Sequence, residues 1–284
     1  IGGAGGISKL DGGTLILGGA NSYAGATGIA GGTLRAGVDG ALPSGTNVTI
    51  AAGATLDLAA SQTVASLAGD GRVTLSGGSL TTGGGNADTR YAGTISGSGG
   101  LTKTGSGTFT LAGANSYAGA TTVSAGTLRL DGGAIGGGAL SVASGATLDV
   151  NGAAASVSGL SGAGRILLGS GSLAASIGAT SSFTGVIGGT GSFVKSGSGT
   201  LTLGGANTYS GGTTVTGGTL TAGVANAFGT GTLTVTAPGA VNLANFATTV
   251  GGLAGDGGIA LGSAVLTVNA AAASAYSGVL SGTG

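Results

Sequence analysis

The chain alternates apolar and polar residues in runs of three or four, and Gly, Ala, Ser, Asn or Asp separates the runs. Such short alternation is typical of β-strands with one buried face, and no apolar stripe of helical period interrupts it. The sequence therefore predicts an all-β protein. Along the first part of the chain the predicted strands are TLIL (14–17), TGI (27–29), TLRA (33–36), VTI (48–50), TLDL (55–58), TVA (63–65), VTL (73–75), SLT (79–81), GTI (93–95) and LTK (101–103).

The same pattern of strands and turns returns about every 93 residues. GGANSYAGAT (18–27) recurs as AGANSYAGAT (112–121) and as GGANTYSGGT (204–213), and lysines and leucine-rich segments recur in the same register. Anchors that recur in one order and one register are a real internal repeat. We predict one segment over residues 1–284, cut from a longer array. Its repeat copies are residues 1–94, 95–186 and 187–279, and residues 280–284 begin a fourth copy.

Strands of this length cannot bury a face in a flat sheet of their own. Stacked coil on coil they form long parallel sheets around a narrow apolar core, which is a β-solenoid. Ten strands per unit, at three per turn, predict three to four coils of 20–28 residues each. Glycine is expected at the corners, where positive φ is needed. The predicted inward residues are Leu15, Leu17, Leu34, Ile50, Leu56, Leu58 and Leu75 with their repeat counterparts.

Composition narrows the possible functions. Lys and Arg together number eight and Asp also eight, so the net charge is zero, without the basic cluster that nucleic acid requires. The absence of His and Cys excludes a Ser-His-Asp triad and a thiolate metal site. Asp57 and Asp149 are repeat equivalents, too far apart to act on one bond. The sequence predicts no catalytic, cofactor-binding or metal site and no small-molecule substrate.

Six of the ten aromatic residues form two repeated columns: Tyr23, Tyr117 and Tyr209, and Tyr91, Phe183 and Tyr276. One interpretation is a platform on which sugars stack. The favoured interpretation is that each ring caps the core at a corner, while the neighbouring Asn satisfies the backbone of a turn. We therefore predict a structural role for the residues fixed in all three copies. These are Lys9, Asn21, Tyr23, Gly25, Lys103, Asn115, Tyr117, Gly119, Lys195, Asn207, Tyr209 and Gly211.

The run KSGSGTLTLGGANTYSGGTTVTGGTL (195–220) closely resembles the passenger-associated transport repeat, also called the autotransporter-associated β-strand repeat. Residues 9–34 and 103–128 are similar, although the first copy has LDG for GSG and Gly28 for Thr. The resemblance implies a right-handed parallel β-helix, the passenger of a bacterial type V secreted protein displayed at the outer surface. It also implies a C-terminal membrane β-barrel in the parent chain and a repeat that aids secretion and folding.

Three functions follow as expectations. The first is a non-catalytic extracellular stalk or scaffold that contributes to adhesion, autoaggregation or biofilm contact, by self-association or against a host or neighbouring cell. The second is a free surface fibre or a ligand-binding solenoid. Ice is one possible ligand, but an ice-binding face needs Thr-x-Thr in register on every coil. The third and weakest is a β-helical polysaccharide-degrading enzyme, which would need Asp, Lys and Arg clustered on one flank.

Overall fold

The computed structural model describes residues 1–284, and all of its regular elements are β-strands. The chain divides into two compact units, residues 1–141 and 142–284. The strands of unit 1 are β1 (Gly2–Gly3), β2 (Ile7–Lys9), β3 (Thr14–Leu17), β4 (Ser22–Tyr23), β5 (Thr27–Ile29), β6 (Thr33–Ala36), β7 (Asn47–Ile50), β8 (Thr55–Leu58), β9 (Gln62–Thr63), β10 (Ser66–Gly69), β11 (Arg72–Leu75), β12 (Leu80–Thr82), β13 (Thr89–Tyr91), β14 (Thr94–Gly97), β15 (Leu101–Lys103), β16 (Thr108–Leu111), β17 (Thr121–Val123), β18 (Thr127–Leu130) and β19 (Ala139–Val142), whose last residue belongs to unit 2.

Unit 2 continues the same succession of short strands. They are β20 (Thr147–Asp149), β21 (Ala154–Val157), β22 (Gly159–Gly162), β23 (Arg165–Leu167), β24 (Ser172–Ser176), β25 (Ser181–Phe183), β26 (Val186–Gly188), β27 (Ser192–Ser196), β28 (Thr200–Leu203), β29 (Thr213–Val215), β30 (Thr219–Ala222), β31 (Thr232–Val235), β32 (Ala240–Asn242), β33 (Thr248–Val250), β34 (Gly252–Gly255), β35 (Gly258–Gly262), β36 (Leu266–Val268) and β37 (Leu280–Gly282).

Within unit 1 the strands stack in parallel on three faces. Face 1 has the order β2-β5-β7-β10-β13-β16-β18, face 2 the order β3-β6-β8-β11-β14, and face 3 the order β9-β12-β15-β17. The chain visits the faces in turn, so each strand pairs with the strand one coil earlier and one coil later. This is the predicted β-solenoid.

Unit 2 has the same construction. Three parallel stacks run β20-β23-β26, β21-β24-β27-β29-β31-β34 and β22-β25-β28-β30-β32-β35-β37, and β33 pairs with β36. Within a strand the burial alternates, as in β28 and β30, where Leu201 and Leu220 are fully buried and the threonines around them are half-buried. The alternating sequence therefore places one side chain in two inside the coil.

The coils are shorter than the sequence pattern predicted. Val48 pairs with Thr27, 21 positions earlier, and Ser66 pairs with Asn47, 19 positions earlier. The longest step on face 1 is the 22 residues from Gly69 to Tyr91. The expected range of 20–28 residues was too wide because strands β4, β10 and β13 were not recognised. Strand β4 has only two residues, Ser22 and Tyr23, Ala and Gly make up half of β10, and β13 has a central Arg90, so none of the three shows a clear hydrophobic pattern.

The sequence repeat does not contain a whole number of coils. Starting from Lys9, four coils on face 1 lead to Tyr91 through the pairings with Ile29, Ile50 and Gly69. Lys103 lies two strands further on, in β15 on face 3, instead of on face 1. Three to four whole coils per repeat was therefore a wrong expectation. The second copy of the motif is moved to another face, so one sequence motif fits more than one face of the solenoid.

The core is a narrow stack of Leu, Ile, Val and aromatic side chains. Six of the seven inward residues predicted in the first repeat are buried, from Leu17 at 5% exposed to Leu34 and Leu75 at 0%. Leu15 is an exception, with 38% exposed. It lies in β3, the edge strand of face 2, so only one neighbouring coil covers it. The chain also contains no helix of the length and apolarity that a membrane crossing requires.

Candidate functional site

The Asn of the repeated motif links three successive coils through its side chain. The Asn115 Oδ1 accepts a hydrogen bond from the Ile95 backbone N–H, one coil earlier, at 2.8 Å. Its Nδ2 donates to the Gly113 carbonyl in its own coil at 3.0 Å and to the Ala134 carbonyl in the next coil at 2.7 Å. No strand forms around Asn115, so the side-chain amide takes the place of ladder hydrogen bonds there.

The other two copies use the same geometry. In unit 2 the Asn207 Oδ1 accepts from the Ile187 N–H at 2.7 Å, and its Nδ2 donates to the Ala227 carbonyl at 2.5 Å. In the first copy the Asn21 Nδ2 donates to the Gly19 and Ala41 carbonyls. Its Oδ1 accepts a hydrogen bond at 2.5 Å from the nitrogen of Ile1, the repeat equivalent of Ile95. Asn115 and Asn207 are buried, whereas Asn21 is half-buried.

The Tyr of each motif is a core residue with one polar contact. Tyr23, Tyr117 and Tyr209 are at most 2% exposed. Each hydroxyl hydrogen-bonds with the Oγ1 of the Thr four residues later, at 2.6 to 2.7 Å. Those partners are Thr27, Thr121 and Thr213, which the sequence analysis did not single out. The invariant Thr at the end of the ten-residue repeat was the signal that could have identified them.

The motif lysines have backbone carbonyls as partners and no carboxylate. The Lys103 Nζ donates to the carbonyls of Thr104 (2.5 Å), Gly105 (2.8 Å) and Ala125 (3.2 Å). The Lys195 Nζ donates to Ser196, Gly197 and Gly217 at 2.8 to 3.1 Å. Lys9 does the same with Asp11 and Gly31. Each ammonium therefore joins the corner of its own coil to the corner of the next.

Burial changes the acid–base properties of these groups. Lys103 is 1% exposed and Lys195 0%, and burial lowers the pKa of both ammonium groups below the ordinary value. Burial raises the pKa of the Tyr117 hydroxyl, and the hydrogen bond to Thr121 partly opposes that shift. The raised pKa keeps the Tyr117 hydroxyl protonated at neutral pH.

The motif Gly is required by close approach of the preceding coil. A Cβ added to Gly119 would lie 2.4 Å from the backbone carbon of Gly99, and one added to Gly211 would lie 2.6 Å from that of Gly191. At Gly25 the nearest atom would be the Gly6 nitrogen, also at 2.6 Å. Backbone atoms cannot move aside as a flexible side chain would, so any larger residue forces the coils apart.

The arrangement leaves little of the motif for a ligand. The rings of Tyr23, Tyr117, Tyr209, Tyr91 and Phe183 are buried, so they offer no face for stacking, and the platform interpretation is wrong for these residues. No group of three or more Asp side chains is placed to hold a metal ion. Asp57 is engaged by Arg35, and its Oδ1 accepts a hydrogen bond from the Ser76 hydroxyl at 2.5 Å.

Comparison with known proteins gives one positive result. The family described as passenger-associated-transport-repeat matches residues 7–36, 101–130 and 193–222. No curated protein and no solved structure matches the chain. Each matched range begins near a motif lysine, contains the Asn, Tyr and Gly described above, and ends in the second of two paired strands, as β16 pairs with β18. Three segments of the β-solenoid are thus similar to the passenger-associated transport repeat.

Proposed function

We propose that the chain is a passenger segment of a bacterial autotransporter, exported to the cell surface, where it is a non-catalytic stalk or scaffold. The observation that supports this most is the threefold match to a passenger repeat within a β-solenoid. The polar groups that recur in the motif are consumed by hydrogen bonds between coils. Chemistry on a substrate would need such groups free and convergent.

The transport role has a physical basis in the same geometry. A passenger that crosses the outer membrane as an extended chain must then form its coils outside. A motif whose Asn and Lys bond to neighbouring coils lets each new coil dock on the one already formed. The three copies supply such docking points along the chain, and the absence of cysteine avoids disulfide-closed loops that would obstruct passage.

Surface display can be tested on the organism's intact cells. Brief protease treatment followed by mass spectrometry of released peptides should recover peptides of residues 1–284 from intact cells, while a periplasmic marker releases none. Recovery only after lysis would contradict the proposed location.

Mixing labelled cells that carry or lack residues 1–284 tests cell–cell contact, and equal clumping in both would remove that part of the proposal.

The ice-binding alternative receives limited support from the registers. Thr200 and Thr202 lie beside Thr219 and Thr221 on the next coil, which is a two-by-two array of outward threonines. The following strand has Ala240 and Asn242 at those positions. An ice-binding face needs many coils in register, so this array does not carry a second proposed function.

A further inference from the structure

Each unit carries a surface groove at the same position of the sequence repeat. In unit 1 the groove crosses three coils and centres on Arg72, which lies between Thr55 and Thr94 on the adjoining strands. In unit 2 the equivalent groove centres on Arg165, between Thr147 and Val186. The volumes are about 420 and 520 Å³, within the range of ligand sites. We call the second one the Arg165 groove.

Glycines keep the floor of the Arg165 groove bare. A Cβ on Gly164 would lie 2.3 Å from the Ala143 carbonyl oxygen, and one on Gly185 would lie 1.8 Å from the Gly164 oxygen. Gly71 and Gly93 have the same constraint in unit 1. Because the coils approach so closely at this corner, a larger residue cannot replace Gly164 or Gly185 without moving the backbone of the neighbouring coil.

The two grooves differ in one charge. Asp70 lines the unit 1 groove together with Arg72, two residues later, and adds a carboxylate to that groove. In unit 2 the equivalent residue is Ala163. Arg165 is exposed and forms no ion pair, whereas Arg35 and Arg90 pair with Asp57 and Asp131. The Arg165 groove therefore presents an uncompensated guanidinium, which favours an anionic ligand with planar geometry.

The Arg165 groove is also part of a longer feature. A second groove of about 590 Å³ in unit 2 shares Thr208 with it and is lined by Asn226, Thr249 and Asn269. Six of the nine residues that line this extension are Thr or Asn, and Val186, which is 40% exposed, adds an apolar patch beside Arg165 in the first groove. A sugar chain has matching chemistry, since its hydroxyls need donors and acceptors and its ring faces need apolar contact.

We propose that the Arg165 groove binds a polysaccharide that contains uronic acid. One carboxylate pairs with the guanidinium of Arg165, the ring of that sugar packs on Val186, and neighbouring sugars hydrogen-bond along Thr208 and Asn226. This binding goes beyond the scaffold role proposed above and does not depend on surface display. Its chemistry is recognition alone, without bond cleavage.

The test is calorimetric titration of the purified 284-residue chain with short oligomers of galacturonate, alginate and hyaluronan. Methyl-esterified oligogalacturonate is the matched control, because it keeps the sugar and lacks the charge. We expect binding of at least one acidic oligomer, at least tenfold weakening with Arg165→Gln, and no measurable binding of the ester. Arg72→Gln controls for loss of a surface arginine and should leave binding unchanged.

The equivalent groove in unit 1 supplies a second, constructive test. Ala163→Asp recreates the Asp70 arrangement beside Arg165 and should weaken binding at least as much as Arg165→Gln. Asp70→Ala should add a second, Arg72-dependent site to the stoichiometry. All four residues are exposed, so circular dichroism is expected to show unchanged folding. Binding that is equal for acid and ester, indifferent to Arg165, or absent for all three oligomers would overturn the proposal.

Discussion

The first and second copies of the motif have nearly the same sequence but very different surroundings. In the second copy Asn115 and Phe109 are 7% and 0% exposed, and coils stack on both sides. In the first copy the equivalent Asn21 is half-buried and Leu15 is 38% exposed, since β3 is an edge strand. The comparison shows that the contribution of a motif residue to stability depends on the coils that stack on either side of it. Equivalent substitutions in the isolated 284-residue chain, where no coil precedes β3 on face 2, should therefore have unequal effects.

The largest contrast is expected in the core. Phe109→Ala should lower the free energy of unfolding by about 3–5 kcal/mol, since it leaves a cavity between stacked coils. Leu15→Ala should cost about 1 kcal/mol, because its side chain is already partly solvated. Urea denaturation followed by circular dichroism measures both. Similar losses at the two positions would mean that the stacking of coils does not determine how much each side chain contributes to stability.

The asparagines are expected to show the next largest contrast. Asn115→Ala removes three hydrogen bonds and leaves the Ile95 N–H and two carbonyls without their partner, at a cost of about 3 kcal/mol. Asn21→Ala should cost less than about 1 kcal/mol, because water can replace its partly exposed contacts. The same denaturation experiment measures both losses. A larger loss for Asn21→Ala than for Asn115→Ala would contradict this interpretation.

The lysines give a smaller difference together with a pH signature. Lys103→Met leaves three carbonyls without their donor, and Lys9→Met leaves two. The free energy of unfolding should therefore fall by about 1–2 kcal/mol more in Lys103→Met than in Lys9→Met. The folded chain releases the Lys103 proton at a lower pH than the unfolded chain does. The stability of the unsubstituted chain should therefore rise with pH between the lowered pKa and about 10.4. Lys103→Met should reduce that rise, and an unchanged slope would contradict the burial effect.

Substitution of the motif tyrosine should cost the two copies similar amounts of stability. Tyr23 is 2% exposed and Tyr117 0%, and each hydroxyl bonds to the Thr four residues later. Tyr23→Phe and Tyr117→Phe should each cost about 1 kcal/mol, as expected for one neutral hydrogen bond. Thermal denaturation of both variants measures this. A much larger cost in the second copy would show that position in the stack matters even for rings that are equally buried.

The sequence was sufficient for the fold class and the repeat because both depend on regular patterns. Alternation within strands located the ten predicted strands, each of which overlaps a strand of the structure. The coil length was harder, since it depends on pairings between residues about 20 apart that no local pattern records. Strand β10, with the sequence SLAG, is held by such pairing with β7 and has little strand propensity of its own.

The motif was recognised from its recurrence, but its hydrogen bonds were not. The expectation for Asn115 was a local turn contact, whereas its partners include Ile95 and Ala134, about one coil away on either side. The carbonyl partners of Lys103 were likewise not foreseen, because a lone lysine usually indicates a solvated surface. Such contacts follow from the stacking of the coils, which only the three-dimensional structure supplies.

The central claim is that the motif Asn joins consecutive coils, and amide hydrogen exchange at Ile95 tests it most directly. The Asn115 side chain is the partner of this amide, so Asn115→Ala should accelerate exchange at Ile95 by about tenfold or more. Exchange at Val73, which pairs with Ile95 from the preceding coil, should change much less. Unchanged protection of Ile95 would contradict the claim, because the amide would then have a partner other than Asn115.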